Sequence, residues 1–223
     1  MQVKLVSYSR PSEEFLSEGI KDVQDLIAFC AKVSNPSGQF NMETSERLIR
    51  YLVKHQHWSP LEMASACMEI TTTRDIARQI LRHRSFSFQE FSQRYADPTK
   101  DLDFVIREAR LQDTKNRQNS IETDDPALTA WWDAKQKFLL EYVRTTYSEA
   151  LEKGIAKEQA RAILPEGNTV SRLYMNGTIR SWIHFIQLRS GNGTQKENME
   201  VARACAAAIA QIFPMGSEFI SET

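Results

Sequence analysis

The sequence predicts an α+β protein: a single domain over residues 1–223, mainly helical, with a small antiparallel sheet. Three observations carry this. Most periodic segments repeat their apolar residues at the i, i+3, i+4 spacing that collects them on one side of a helix. Only Val3 to Ser7, Ala64 to Thr71 and Thr169 to Met175 carry strand signals. Finally, 223 residues with 41% hydrophobic content can bury one sizeable core.

The chain in order supports each element. Val3 to Ser7 is β-prone and is closed by Arg10-Pro11-Ser12, which predicts an opening strand and a loop. Val23, Leu26, Ile27, Cys30 and Ala31 recur at helical spacing, with Asp22 placed to cap and Asp25 in the first turn. That helix runs out at Ser34-Asn35-Pro36-Ser37-Gly38, because Pro36 disfavours helical geometry at Asn35. Glu43 to His55 predicts a second helix, with Leu48 and Leu52, Ile49 and Val53 as apolar pairs and Glu46 with Arg50 as an i,i+4 ion pair. Ser59 before Pro60, with Glu62 three residues on, predicts a cap and a short helix.

Ala64, Ala66, Met68 and Ile70 alternate with Ser65, Cys67, Glu69 and Thr71, the period of a half-buried strand. Thr73 is placed to cap a helix with Ile76, Ala77, Ile80 and Leu81 inward, Arg74, Arg78 and Arg82 on another face, and Gln79 with His83 as a further i,i+4 pair. Glu90 to Arg94 is expected in a loop or short turn after it. From about 96 to 125 the composition becomes charged and amide-rich, which predicts a surface excursion anchored by Leu102, Phe104, Val105 and Ile106.

Asp125-Pro126 opens the longest predicted helix, with Leu128, Trp132, Leu139, Tyr142, Val143, Ala150 and Leu151 as its apolar stripe and Gly154 as C-terminal cap. Lys157 to Leu164 is a short helix stopped by Pro165. Thr169 to Met175 reads as a strand and Asn176-Gly177-Thr178 as a turn and cap. The helix that follows has Ile179, Trp182, Ile183 and Ile186 inward and Arg180, His184 and Arg189 on other faces. Ser190-Gly191-Asn192-Gly193-Thr194 breaks it, and Asn198, Ala202, Cys205, Ala206, Ile209 and Phe213 define the last helix.

Composition excludes several classes. Lys+Arg 28 against Asp+Glu 29 leaves a net charge of -1, without the basic excess of a general nucleic-acid binder. No apolar run approaches the roughly 20 residues that span a bilayer, and Met1 to Glu14 lacks a secretory pattern, so no membrane role and a cytoplasmic location are expected. Cys30, Cys67 and Cys205 are odd in number and lack Cys-x-x-Cys spacing, which points to small core residues and not to a disulfide framework or a zinc cluster.

The chemistry concentrates in Arg82-His83-Arg84-Ser85-Phe86-Ser87-Phe88-Gln89-Glu90-Phe91-Ser92-Gln93-Arg94-Tyr95. Guanidinium groups stay protonated and offer fixed donors suited to phosphate, carboxylate or an electron-rich ring, so an anionic planar ligand is expected. An RNA- or phosphate-binding module is an alternative, its arginines tracking a backbone while Phe86, Phe88, Phe91 and Tyr95 stack bases. A metal hydrolase on His55, His57 and His83 is another. Against that stand a total of 4 histidines and no His-Glu-x-x-His, so no metal is expected.

As a pattern, the stretch is Arg-His-Arg, seven residues, then Ser92, with Gln89-Glu90 before the serine and Arg94-Tyr95 after it. It resembles the signature of the flavin-dependent thymidylate synthases. The resemblance runs from about Ser34 to Glu197, leaves the excursion after Tyr95 unmatched, and departs at His184, where asparagine is common, and at 191–194. It implies reductive methylation of dUMP to dTMP, with FAD as cofactor and NADPH and methylene-tetrahydrofolate as co-substrates. It also implies that family's own fold, which needs no Gly-x-Gly-x-x-Gly, and a homotetramer with shared sites.

By that resemblance Gln79, Arg82, Glu90, Phe91, Ser92, Gln93, Arg94, Arg161 and Arg189 match dUMP contacts. Ser34, His57, Ser59, Glu62, Arg82, His83, Arg84, Glu90, Thr178, Arg180, His184 and Leu188 match FAD contacts. Arg189 matches the catalytic arginine that stabilises charge over uracil nitrogen 3 and oxygen 4.

Overall fold

A computed structural model describes residues 1–191 and 193–221. The expected break at Asn192 therefore lies outside the described residues. The chain opens with strand β1 (Gln2–Tyr8), then helices α1 (Glu13–Ser17), α2 (Val23–Ala31) and α3 (Ser45–Lys54). Strand β2 (Ser65–Thr73) runs directly into helix α4 (Arg74–Ile80), followed by strand β3 (Ser87–Glu90) and helix α5 (Pro98–Asp101). A hairpin of β4 (Arg110–Gln112) and β5 (Ser120–Glu122) precedes the long helix α6 (Pro126–Glu152). Helix α7 (Lys157–Ala160), strand β6 (Val170–Thr178) and helices α8 (Ile179–Arg189) and α9 (Lys196–Ile209) complete the order.

The main sheet is antiparallel in the order β1-β2-β6-β3. Its alternation is the physical reason for its one-sided burial. Ala66, Met68 and Ile70 of β2 and Leu173 and Met175 of β6 are buried, while Arg172 and Tyr174 point outward, where the Tyr174 hydroxyl donates to Glu69 Oε2 at 2.9 Å. Against the inner face pack Trp182, Ile183 and Ile186 of α8 and Val201, Ala202, Cys205 and Ala206 of α9, one continuous core. The small residues of α9 let it sit close. Trp182 donates Nε1–H to the Ala66 carbonyl at 3.0 Å, which satisfies the one polar group of the largest core side chain.

Several expectations change in detail. Asp22 and Asp125 cap α2 and α6, accepting from Asp25 N at 2.9 Å and from Ala127 N at 2.9 Å. Ser59, in contrast, is the first residue of a 3-10 turn and makes no cap bond, and Thr73 spends its hydroxyl on Asp75. Glu90 lies on strand β3 and not in a loop, because Ser87 to Glu90 finds the free edge of β6. Asn176 and Gly177 continue β6 and make no turn. Gly177 is needed there because a Cβ would come within 2.6 Å of Phe86 Cε1. Cys205 is buried, whereas Cys30 and Cys67 are only half-buried.

Helix α6 departs most. Of the expected stripe, Val143 is buried, but Trp132, Leu139 and Tyr142 are exposed. The inward line is Gln136, Leu140, Val143 and Tyr147, the last two packing with Ala160 and Leu164 in a second small core. The helix carries apolar residues on two sides, and the sequence pattern alone does not say which side meets the domain. Gly154, at φ 83°, ends the segment as expected.

Candidate functional site

Helix α4 organises the site because it presents two working faces. Its N-terminal amides are satisfied by the loop before β6, Arg74 N donating to Thr169 O at 3.0 Å. Arg74 and Arg78 then face β3 and the segment after α6. Gln79 and, past the helix end, His83 face α8 and α9.

On the first face, Arg74 Nη1 lies 3.5 Å from Glu90 Oε1, and Ser171 Oγ donates to the same oxygen at 2.7 Å. Arg74, Arg78, Gln93 and Arg161 line one cavity of about 430 Å³, with Glu158 and Glu166 at its rim. Gln93 is buried, and among the described residues its Nε2 has no hydrogen-bond partner. A buried donor without an acceptor is costly, and an anion in this cavity would relieve it. Arg78 Nε meets Glu166 Oε1 at 3.0 Å and Arg94 Nε lies 3.5 Å from Glu158 Oε2, both pairs largely exposed. Among the described residues, no hydrogen bond or ion pair engages the guanidinium of Arg161. Ser92 Oγ accepts from Arg94 N at 3.4 Å and so shapes the turn that carries Phe91 and Gln93.

On the second face, Arg189, the last residue of α8, donates its Nε–H to His83 Nε2 at 3.0 Å. The His83 ring stands edge-on to Phe185 at 5.0 Å. Burial first, and then the Arg189 charge, push the His83 pKa down to about 4, so the ring is neutral and free to accept. Beside it runs a chain of amides that the sequence does not reveal. Asn198 Nδ2 donates to Gln79 Oε1 at 2.9 Å, Gln79 Nε2 to Gln195 Oε1 at 2.8 Å, and Gln195 Nε2 to Glu197 Oε2 at 2.9 Å. Glu197 meets Arg107 Nη1 at 2.9 Å and also bonds Arg110. Burial would raise the Glu197 pKa, but Arg110, its own backbone N–H, Arg107 and Gln195 outweigh it and leave it at about 2. The only signal in the sequence is Asn198, a polar residue in an apolar stripe.

The flavin candidates gather around α8 and the 59–62 turn. Arg180 Nη1 pairs with Glu62 Oε1, and His184 stands edge-on to Trp58 at 4.3 Å, its pKa lowered by burial and then by Arg180. Thr178 caps α8, accepting from Ser181 N at 3.3 Å. His57, Ser59, Arg82, Arg84 and Leu188 are exposed. Among the described residues, no hydrogen bond or ion pair engages the side chains of Arg82 and Arg84, or joins Ser34, in the turn after α2, to the others.

The stacking and metal alternatives lose ground here. Of the four aromatics of the stacking alternative, Phe86 and Phe88 pack against the core, Phe86 edge-on to Trp182 at 4.8 Å, while Phe91 is half-buried and Tyr95 is exposed. His83 has spent Nε2 on Arg189, and among the described residues no group of three His, Cys, Asp or Glu side chains is placed to hold a metal. Among them, too, no helix is long and apolar enough to cross a membrane. A groove of about 620 Å³ lies by the β4–β5 hairpin, lined in part by Arg117, Trp131 and Trp132, and meets the amide chain at Gln195, Arg107 and Arg110.

A family model described as Thymidylate synthase complementing protein matches residues 16–215. A curated relative from Paramecium bursaria Chlorella virus 1, named a probable flavin-dependent thymidylate synthase, is 47% identical over 96% of each chain. One from Synechocystis, named a flavin-dependent thymidylate synthase, is 46% identical over the same share of both. Among solved structures, the UMP/dUMP methylase PolB from Streptomyces cacaoi, bound with 5-Br UMP, superposes with a TM-score of 0.77 at 26% identity, covering 98% of this chain and 92% of its own.

Proposed function

Because the chain belongs to the thymidylate synthase complementing protein family, that of the flavin-dependent thymidylate synthases, we propose that its site performs the reductive methylation of dUMP to dTMP. Methylene-tetrahydrofolate is the carbon donor in this reading, and NADPH, acting through FAD, the reductant. Such a substrate belongs to the intracellular nucleotide pool.

The observation that carries the reading is the setting of Arg189. A neutral His83 holds its Nε–H, and among the described residues no other hydrogen bond or ion pair occupies its two terminal NH₂ groups. Guanidinium does not deprotonate, so these are permanent donors for an oxygen of uracil. They stabilise the negative charge that develops on the ring when carbon 5 becomes nucleophilic. The cysteines are ill-suited to the alternative of adding to carbon 6. Burial raises the pKa of Cys30, Cys67 and, most strongly, Cys205.

The cavity of Arg74, Arg78, Gln93 and Arg161 suits the 5′-phosphate, which brings close to two negative charges and strong acceptors. Arg78, which already lines it, and Arg94, beside it, turn to the phosphate once it competes with their exposed partners Glu166 and Glu158, since exposed ion pairs are weak.

The donor set also fits a flavin dinucleotide. Exposed Arg82 and Arg84 supply cations for its diphosphate, and His57, Ser59 and His184 supply polar and aromatic surface nearby. The Thr178 hydroxyl is already a helix cap, so its share falls to the backbone. When bound, FAD supplies the hydride, and the protein supplies orientation and charge. Exposed Trp131, Phe138 and Tyr142 on α6, at 55%, 76% and 66%, support self-association, and the resemblance implies a homotetramer.

The test is dTMP formation from dUMP by the purified protein with FAD, NADPH and methylene-tetrahydrofolate, alongside its visible spectrum. Yellow protein and product are expected. A colourless protein that takes up no FAD on reconstitution overturns the reading.

A further inference from the structure

We propose that Glu197 is a positioning residue for nucleotide recognition: held by Arg107 and Arg110, it dictates through Gln195 which way round the Gln79 amide sits. The inference rests on the reading above, in which Gln79 touches dUMP.

A carboxamide has two ends of nearly equal shape, one donating and one accepting, so its surroundings decide its orientation. Here the decision is made at one end of a chain. Glu197 is a carboxylate and accepts only, from Arg107 Nη1 at 2.9 Å and from Arg110. Gln195 must therefore turn its NH₂ toward Glu197 Oε2, at 2.9 Å, and its oxygen toward Gln79. That oxygen requires the Gln79 NH₂, at 2.8 Å, which leaves Gln79 Oε1 to accept from Asn198 Nδ2 at 2.9 Å.

The far end does not compete. Asn198 is fully buried and among the described residues its Oδ1 has no partner, so turning it over would exchange an orphaned acceptor for an orphaned donor. Direction is thus set by the carboxylate. Gln79 keeps its second N–H, a donor, for an oxygen of the nucleotide, and the reversed amide would place an acceptor there instead. Arg107 and Arg110 belong to the charged segment between β3 and α6, and through them that segment anchors the ion that orients the substrate contact.

The experiment is dUMP titration of the FAD-loaded protein in Glu197→Gln, Gln195→Met, Gln79→Ala and the double variant Glu197→Gln/Gln79→Ala. The first two are each expected to weaken dUMP about tenfold, with FAD content and melting temperature kept, and Glu197→Asp to recover most of the affinity. The double variant is expected to bind no worse than Gln79→Ala alone. Gln195→Met leaves every ion pair of Glu197 in place, so it decides the matter if Glu197→Gln folds poorly. Full affinity in Gln195→Met, or additive losses in the double variant, overturn the role of Glu197. Full affinity in Gln79→Ala overturns the underlying assignment of Gln79 instead.

Discussion

Arg189 and His83 meet across 3.0 Å, the arginine donating Nε–H to the histidine Nε2 from a position 106 residues further along the chain. The bond requires a neutral ring with its proton on Nδ1. It ties the end of α8 to the turn after α4.

One consequence is a stability that falls in acid. The folded-state pKa of His83 is about 4, below the roughly 6.5 of an unfolded histidine, so the unfolded chain binds more protons between those values. The contribution is complete above about pH 6.5 and is lost progressively as pH falls toward 4. Allowing for solvent screening of a half-buried ring, it amounts to about 1 kcal/mol. Urea midpoints at pH 7, 5.5 and 4.5 check this, with His83→Gln expected to show a flatter profile across the window.

Arg189→Lys is expected to lower kcat by on the order of 100-fold or more while FAD stays bound. Lysine keeps the charge and loses the planar set of donors. Single-turnover dTMP formation and the flavin spectrum separate the two effects, and normal turnover in the variant refutes the role given to Arg189.

Arg94→Ala is expected to raise the dUMP dissociation constant about tenfold with no change in melting temperature. Its ion pair with Glu158, at 3.5 Å, is more than half exposed on both sides and contributes little to folding. Calorimetric titration against thermal melts decides it, and an unchanged dissociation constant removes Arg94 from the phosphate site.

Gly177→Ala is expected to destabilise the protein by about 1–3 kcal/mol. The added methyl would press on Phe86, which Trp182 at 4.8 Å already confines. A denaturant series measures the loss. Phe86→Leu in the same background is expected to restore part of it.

The proposed self-association is tested by Phe138→Glu on α6, which is expected to leave circular dichroism unchanged and to shift sedimentation toward smaller species, because Phe138 is 76% exposed in the single chain. An unchanged sedimentation coefficient removes Phe138 from the proposed contact.

What the sequence reveals is what local physics decides. Asp22 and Asp125 announce helix starts because an aspartate cap needs only its next three amides. Met68 and Ile70 announce a strand because the period of a pleat is written in consecutive residues. Glu90 reads as a loop residue because four residues carry little period, and the edge of β6 that recruits them lies far along the chain. Gly177 reads as a turn because its need for a missing side chain comes from Phe86 and not from its own backbone. The arginine-rich stretch is visible through its residue types. The amide chain from Asn198 to Glu197 is not, since ordinary glutamines acquire a role only once α4 and α9 are packed together.

Strand β6 passes into α8 with no intervening loop, and this one segment carries Ser171, Gly177, Thr178, Arg180, His184 and Arg189. Adding one residue in the strand would turn every later side chain to the opposite face, and adding one in the helix would swing the rest by about 100°. Variation in length is therefore shut out of 170–189. It has room instead at the exposed tip of the β4–β5 hairpin, where no side chain of the site is counted from.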